Sequence, residues 1–255
     1  MQIIFFLIAI GASTIGAISG IGGGVIIKPV LDSLGVYSVS TVSFLSGCTV
    51  LAMALSSYLR NIKSKAKVDY KISLYLAIGA SIGGFIGKQI FSSSSEYIGL
   101  IQAILLLTVN VLVMIYVLNK NRIKTLSVEN SLLCMLIGLT LGAISAFLGI
   151  GGGPINIAVL YYFFSMNSKD AARSSLFVIL FSQITSLITT ILTNTVPQFN
   201  LLTLILMCSG GILGAIIGGR VSKKLHNDNT EKFFIYVLIT LIVINIYNVI
   251  KFTYS

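Results

Sequence analysis

Apolar residues fall in eight runs of about twenty, the length that carries a helix across a hydrocarbon core, at about 3–19, 40–59, 70–91, 97–118, 131–149, 170–193, 199–220 and 231–252. That pattern restricts the fold more than any motif does. Inside a bilayer every backbone N–H and C=O must find a partner within the protein, so spanning elements are helices or the strands of a closed barrel. Barrel strands are about half as long and alternate apolar with polar residues; these runs do neither. The sequence predicts an all-α, polytopic transmembrane helical bundle of about eight spans, and a composition of 56% hydrophobic against 9% charged residues agrees with it.

A formal charge of +10 would suggest nucleic acid in a soluble chain. Here most Lys and Arg sit in short connections between apolar runs, where they meet lipid head groups, so the expected partner is the lipid bilayer and not nucleic acid. Cys48, Cys134 and Cys208 each lie inside an apolar run without paired spacing, and read as small buried hydrophobes rather than a metal site or disulfide framework. The first run, Ile3 to Ser19, lacks the basic flank and the cleavage site of a signal peptide and reads as a membrane helix.

The chain also repeats itself, which bears on the whole architecture. Gly16-Ala17-Ile18-Ser19 followed by Gly20-Ile21-Gly22-Gly23-Gly24 returns as Gly142-Ala143-Ile144-Ser145 and, after a short insertion, Gly149-Ile150-Gly151-Gly152-Gly153. Gly79, Gly83 and Gly87 match Gly210, Gly214 and Gly218, each set lining one helical face where a neighbour can approach closely. The expected halves are residues 1–124 and 125–255, each with four spans, a glycine-rich loop and a short apolar stretch, about 25–35 and 154–165, that reads as a half-helix. If the short stretches do not cross, the halves run in the same direction; if they cross, the halves are inverted. Both arrangements occur among transporters, with the substrate near the repeat interface. The four-span arrangement puts Arg60, Lys63, Lys65, Lys67 and Lys71 on one face with Lys120, Arg122, Lys124 and both termini, and favours that face as cytoplasmic; Arg220, Lys223, Lys224 and Lys232 on the opposite face vote against it.

Consecutive glycines weaken a helix, so a run that recurs at matching positions points to an unwound backbone. A helix that starts just after such a run offers unpaired N–H groups and the positive end of its dipole, an anion site that needs no charged side chain. Pro154 suits the first helical position. Gly22, Gly23, Gly24, Gly151, Gly152 and Gly153 are therefore candidate binding residues. Lys28, one turn after the first run, and Arg173, which opens the sixth span, are candidate anion partners, against snorkelling or ion pairing with Asp32 and Asp170. Ser43, Ser174 and Ser175, at corresponding places after the glycine runs, supply hydroxyls, with Asn156 and Gln183 as further polar groups. Asn110 and Asn245 are assigned to bonds between helices.

An enzyme is the main rival class and finds little support. The only histidine, His226, lies in a polar loop, and no buried serine–histidine, serine–lysine or His-rich helical arrangement is visible. No cofactor motif is present, since the glycine spacing fits neither a dinucleotide fingerprint nor a phosphate loop.

Gly20-Ile21-Gly22-Gly23-Gly24, Phe147-Leu148-Gly149-Ile150-Gly151-Gly152-Gly153-Pro154, Ala172-Arg173-Ser174-Ser175-Leu176-Phe177 and the glycine-spaced third and seventh spans together resemble the sulfite exporter TauE/SafE family of membrane permeases. The resemblance implies transport of small, often sulfur-containing anions such as sulfite, sulfonates or sulfoacetate, coupled to a gradient of H+ or Na+, in a bacterial plasma membrane. It marks Gly22–Gly24 and Gly151–Gly153 as substrate-facing and Ser174 and Ser175 as the family's hydroxyl pair. Arg173, where a small residue is usual, and Val25, in place of the second copy's proline, depart from the pattern. The added cation implies a larger or more highly charged anion, or a lipid anchor. The reading is a permease working by alternating access, the alternative a non-transporting assembly or receptor-like subunit; oligomeric state carries no signal in the sequence.

Overall fold

The structure, a computed structural model, describes residues 1–63, 70–92 and 97–254. Lys65 and Lys67 of the basic connection lie outside the described residues, as do the side chains of Lys63 and Lys71. Among the described residues all regular structure is helical: α1 (Gln2–Ser19), α2 (Gly24–Leu34), α3 (Val39–Lys63), α4 (Tyr70–Ser92), α5 (Ile98–Asn119), α6 (Ser131–Leu148), α7 (Pro154–Phe164), α8 (Ser168–Leu192), α9 (Leu201–Lys224) and α10 (Asn227–Thr253), with one short 3-10 turn after α5. Eight of these are long and apolar enough to span a membrane. The other two, α2 and α7, have 11 residues each, about 16 Å at 1.5 Å per residue, half a bilayer core.

Helix ends follow the local sequence. Asn130, Asn167 and Asn200 cap α6, α8 and α9 by accepting from amides of the first turn. Gly20 and Gly149 end α1 and α6 in the left-handed conformation, at φ 77° and 66°, which glycine adopts without a Cβ penalty. Large apolar side chains such as Leu59, Leu112, Ile188 and Val243 are exposed around the bundle, as a lipid-facing surface requires.

The glycine faces do what their spacing predicts. A Cβ at Gly79, Gly83 or Gly87 would stand 2.0–2.1 Å from the carbonyl oxygens of Met135, Leu139 or Ala143, so α4 lies directly on α6. Gly210, Gly214 and Gly218 press in the same way on Phe6, Ile10 and Thr14, bringing α9 onto α1. Each contact joins residues 1–124 to residues 125–255, so the two halves of the chain interlock instead of forming two separate bodies. Other helices also pack across the halves: α3 with α9 and α8 with α4, α10 with α2 and α5 with α7.

These contacts fix helix directions. Both numbers rise together along α4 and α6, along α1 and α9, and along α3 and α9, where Gly211 meets Thr49 and Gly219 meets Arg60; each pair is parallel. The α3–α8 pair is antiparallel, with Tyr58 stacked on Phe177 and Gly47 beside Gln183. The α5–α10 pair is antiparallel too, since Gly99 meets Phe252 and Lys120 pairs with Glu231. As α1 and α3 run the same way, α2 with its glycine loop returns the chain across the membrane, and α7 does so between α6 and α8.

One expectation is corrected as a result. Arg60, Lys120, Arg122, Lys124, Lys169, Arg173, Arg220, Lys223, Lys224 and Lys232 all fall on one face, and both ends of the described chain on the other. The four-span arrangement had split the basic residues because it did not count the return through α2 and α7. A second correction concerns the asparagines: Asn245 donates to Leu241 O of its own helix at 2.7 Å, and Asn110 has no partner among the described residues.

Candidate anion site at the meeting of the glycine loops

The two glycine loops meet between α3 and α8. A Cβ on Gly24 would stand 2.2 Å from Ile150 O, and one on Gly153 would be 3.6 Å from Val25 Cγ2. Gly22 and Gly152 lie against Ile179 of α8, Gly151 against Val50 of α3. Positive φ at Gly22 (77°), Gly151 (71°), Gly152 (128°) and Gly153 (145°) turns the chain sharply in a backbone region that L side chains disfavour. Since α2 and α7 start here and run toward opposite faces, the positive ends of their dipoles converge.

Neither short helix has a side-chain N-cap. Among the described residues, the amides of Gly22, Gly23, Gly24, Val25, Gly151, Gly152, Gly153 and Ile155 donate no hydrogen bond. Buried polar side chains crowd the same region without partners. Asn156, fully buried, leaves both amide atoms unbonded beside Gly152. Ser13 Oγ faces Gly23, Ser43 Oγ faces Gly149, and Gln183 lies against Gly151 and Gly47, its Nε2 unbonded. Elsewhere on α3 and α8 the hydroxyls of Ser46, Ser175 and Ser182 are buried and unbonded too, that of Ser182 beside Gly84 of α4. An unsatisfied buried polar group costs about 1–3 kcal/mol, so such a concentration fits a place where a polar guest completes the bonding.

Cavities flank the loops on both sides. Toward the basic face, one of about 140 Å³ is lined by Ala17, Arg60, Lys169, Ala172, Arg173, Leu176, Gly219, Ser222 and Lys223. Toward the opposite face, one of about 20 Å³ has room for about one water; Ser43, Gly47, Lys88, Gly149 and Gln183 are among its lining. The walls match in register: Ala172 touches Gly20 where Ser43 touches Gly149.

That register corrects the hydroxyl correspondence expected from sequence. The counterpart of Ser43 is Ala172, and the serines in matching positions are Ser46 and Ser175, each four residues before the side chain that contacts a glycine loop, Val50 or Ile179. Ser175 is unbonded, whereas Ser174 accepts from Ser73 of α4 at 3.3 Å. Lys28 is completely buried and ion-paired with Asp32 at 2.7 Å, on the part of α2 that leads away from the loops. Arg173 pairs with Asp170 at 3.3 Å and faces the larger cavity. Sequence reasoning missed Ser13, Ser46, Ser182 and Arg60; nothing local distinguishes a membrane serine that faces a loop from one that bonds its own helix.

A family profile described as Sulfite exporter TauE/SafE matches residues 5–246. The chain belongs to that family. A relative described as probable membrane transporter protein YunE, from Bacillus subtilis (strain 168), is 25% identical, with 94% of this chain and 95% of the relative covered. No solved structure matches. Membership of the TauE/SafE family and the eight spans make the chain an integral membrane transporter of the bacterial plasma membrane.

Proposed function

We propose that this transporter is a secondary permease for small anions, sulfur-containing or organic ones such as sulfite and sulfonates, bound where the glycine loops meet. The observation that carries the reading is the convergence of two uncapped helix N-termini whose buried amides have no acceptors among the described residues: such a cradle favours negative charge. Asn156, Ser175 and Gln183 complete it from α7 and α8.

Residues 1–124 and 125–255 act as inverted repeats, and the two flanking cavities are the two ends of one alternating-access path. The cavity on the basic face is the larger of the two, about 140 against about 20 Å³. The excess of Lys and Arg makes the basic face cytoplasmic. A gradient of H+ or Na+ supplies the driving force.

A thermal-shift screen of the purified protein against sulfite, thiosulfate, sulfate, sulfoacetate, taurine and simple carboxylates tests the assignment. A ligand that binds only the folded state raises the melting temperature by mass action, by about 2.7 kcal/mol of stability at a hundredfold excess over Kd. Saturable stabilisation by anions is expected. A flat response to all of them would overturn the assignment of small anions as the substrate.

A further inference from the structure

We infer that the cavity on the basic face is a recruiting site that selects anions bearing two negative charges ahead of the glycine loops; the inference rests on the anion-permease reading. Arg60 from α3, Lys169 and Arg173 from α8, and Lys223 from α9 all line one space of about 140 Å³. The carboxylate of Asp170, paired with Arg173, offsets one of these four. Lysines and arginines that merely reach for lipid head groups need not share a cavity. Ala17 and Ala172 are part of this one's lining, and Ala172 packs on Gly20, the first residue of a glycine loop.

Arg60 is held in place. Its guanidinium donates to Ala215 O of α9 and to Ser57 Oγ, and it lies flat on Gly219, where a Cβ would come within 2.1 Å of Nη2. A guanidinium fixed in this way keeps further donors and its full charge for a ligand. Since Coulomb energy scales with the product of the charges, cations in such excess favour a dianion over a monoanion of the same size. Among the described residues, Lys88 is the one basic side chain lining the opposite cavity, so the selection belongs to the basic face.

The test compares sulfoacetate, a sulfonate with an added carboxylate, with methanesulfonate, which carries one charge, in counterflow into proteoliposomes. For Arg173→Gln with Lys223→Gln, the ratio of kcat/KM for sulfoacetate to that for methanesulfonate should fall at least tenfold from the unsubstituted protein's value. Arg60 is left intact because it ties α3 to α9. An unchanged ratio, or an unsubstituted protein that carries methanesulfonate as well as sulfoacetate, would overturn the recruiting site while anion transport stands. Failure to carry any anion, sulfite included, would overturn the permease reading itself.

Discussion

Gly24, the first residue of α2, is packed against the carbonyl oxygen of Ile150 so closely that a Cβ would lie 2.2 Å from it. The backbone around Gly24 is ordinary and the obstacle is space; at Gly22 the opposite holds, with φ 77° and only the tip of Ile179 within 3.1 Å. Gly24→Ala should therefore separate the loops and abolish transport. Gly22→Ala should fold and lose about 1–2 kcal/mol through its left-handed conformation. Melting curves and flux measured on both variants check the contrast; equal behaviour would show that the loops are not in contact.

Asn156 is buried with neither amide atom bonded. Replacing an unsatisfied polar group with an apolar one of similar size removes a cost of about 1–3 kcal/mol. Asn156→Leu should raise the melting temperature of the ligand-free protein and reduce flux at least tenfold. A variant that is less stable, or as active as the original, would assign Asn156 to packing.

The Lys28–Asp32 pair reads as a structural element. Lys251 donates to Asp32 O and Ser33 O, and Asn248 to Pro29 O, tying the end of α2 to α10. Lys28→Met leaves a buried carboxylate without its partner and should cost about 3–5 kcal/mol, with most of it recovered by Lys28→Met together with Asp32→Leu. Thermal unfolding measures both. Full transport by the double variant would separate this pair from the anion path.

Much of this was legible in the sequence. The eight spans fall within a few residues of their expected bounds, because lipid imposes both helix and length on an apolar run. The glycine loops and their short helices followed from Gly16–Gly24 recurring at Gly142–Gly153. Helix direction was not legible: whether α2 turns back or crosses is decided by what Gly24 and Gly23 touch, and hydropathy is the same either way. The same gap misplaced the basic residues of α9 and the partner of Ser43. The cavity lined by Arg60 and Lys223 was hidden too, since those residues come together only because α3 and α9 are parallel.

Topology gives an independent check. The proposed orientation, with Arg220, Lys223 and Lys224 on the cytoplasmic face, puts the C-terminal end of α10 outside. A C-terminal alkaline phosphatase fusion should be active and a fluorescent protein fusion dark, while single cysteines at Lys124 and Lys223 should react only with membrane-permeant reagent. The reverse pattern would turn the larger cavity toward the exterior.

The most direct measurement is flux of labelled sulfite into proteoliposomes by the protein and by Gly23→Leu with Gly152→Leu. The side chains would press on Ser13 and Ile179, 3.0 and 2.4 Å from the added Cβ atoms, and force apart the backbone where the two sets of amides converge. Uptake by the unsubstituted protein and none by the variant, inserted to the same level, is the expected result. Equal uptake by both would mean that anions do not pass between the glycine loops.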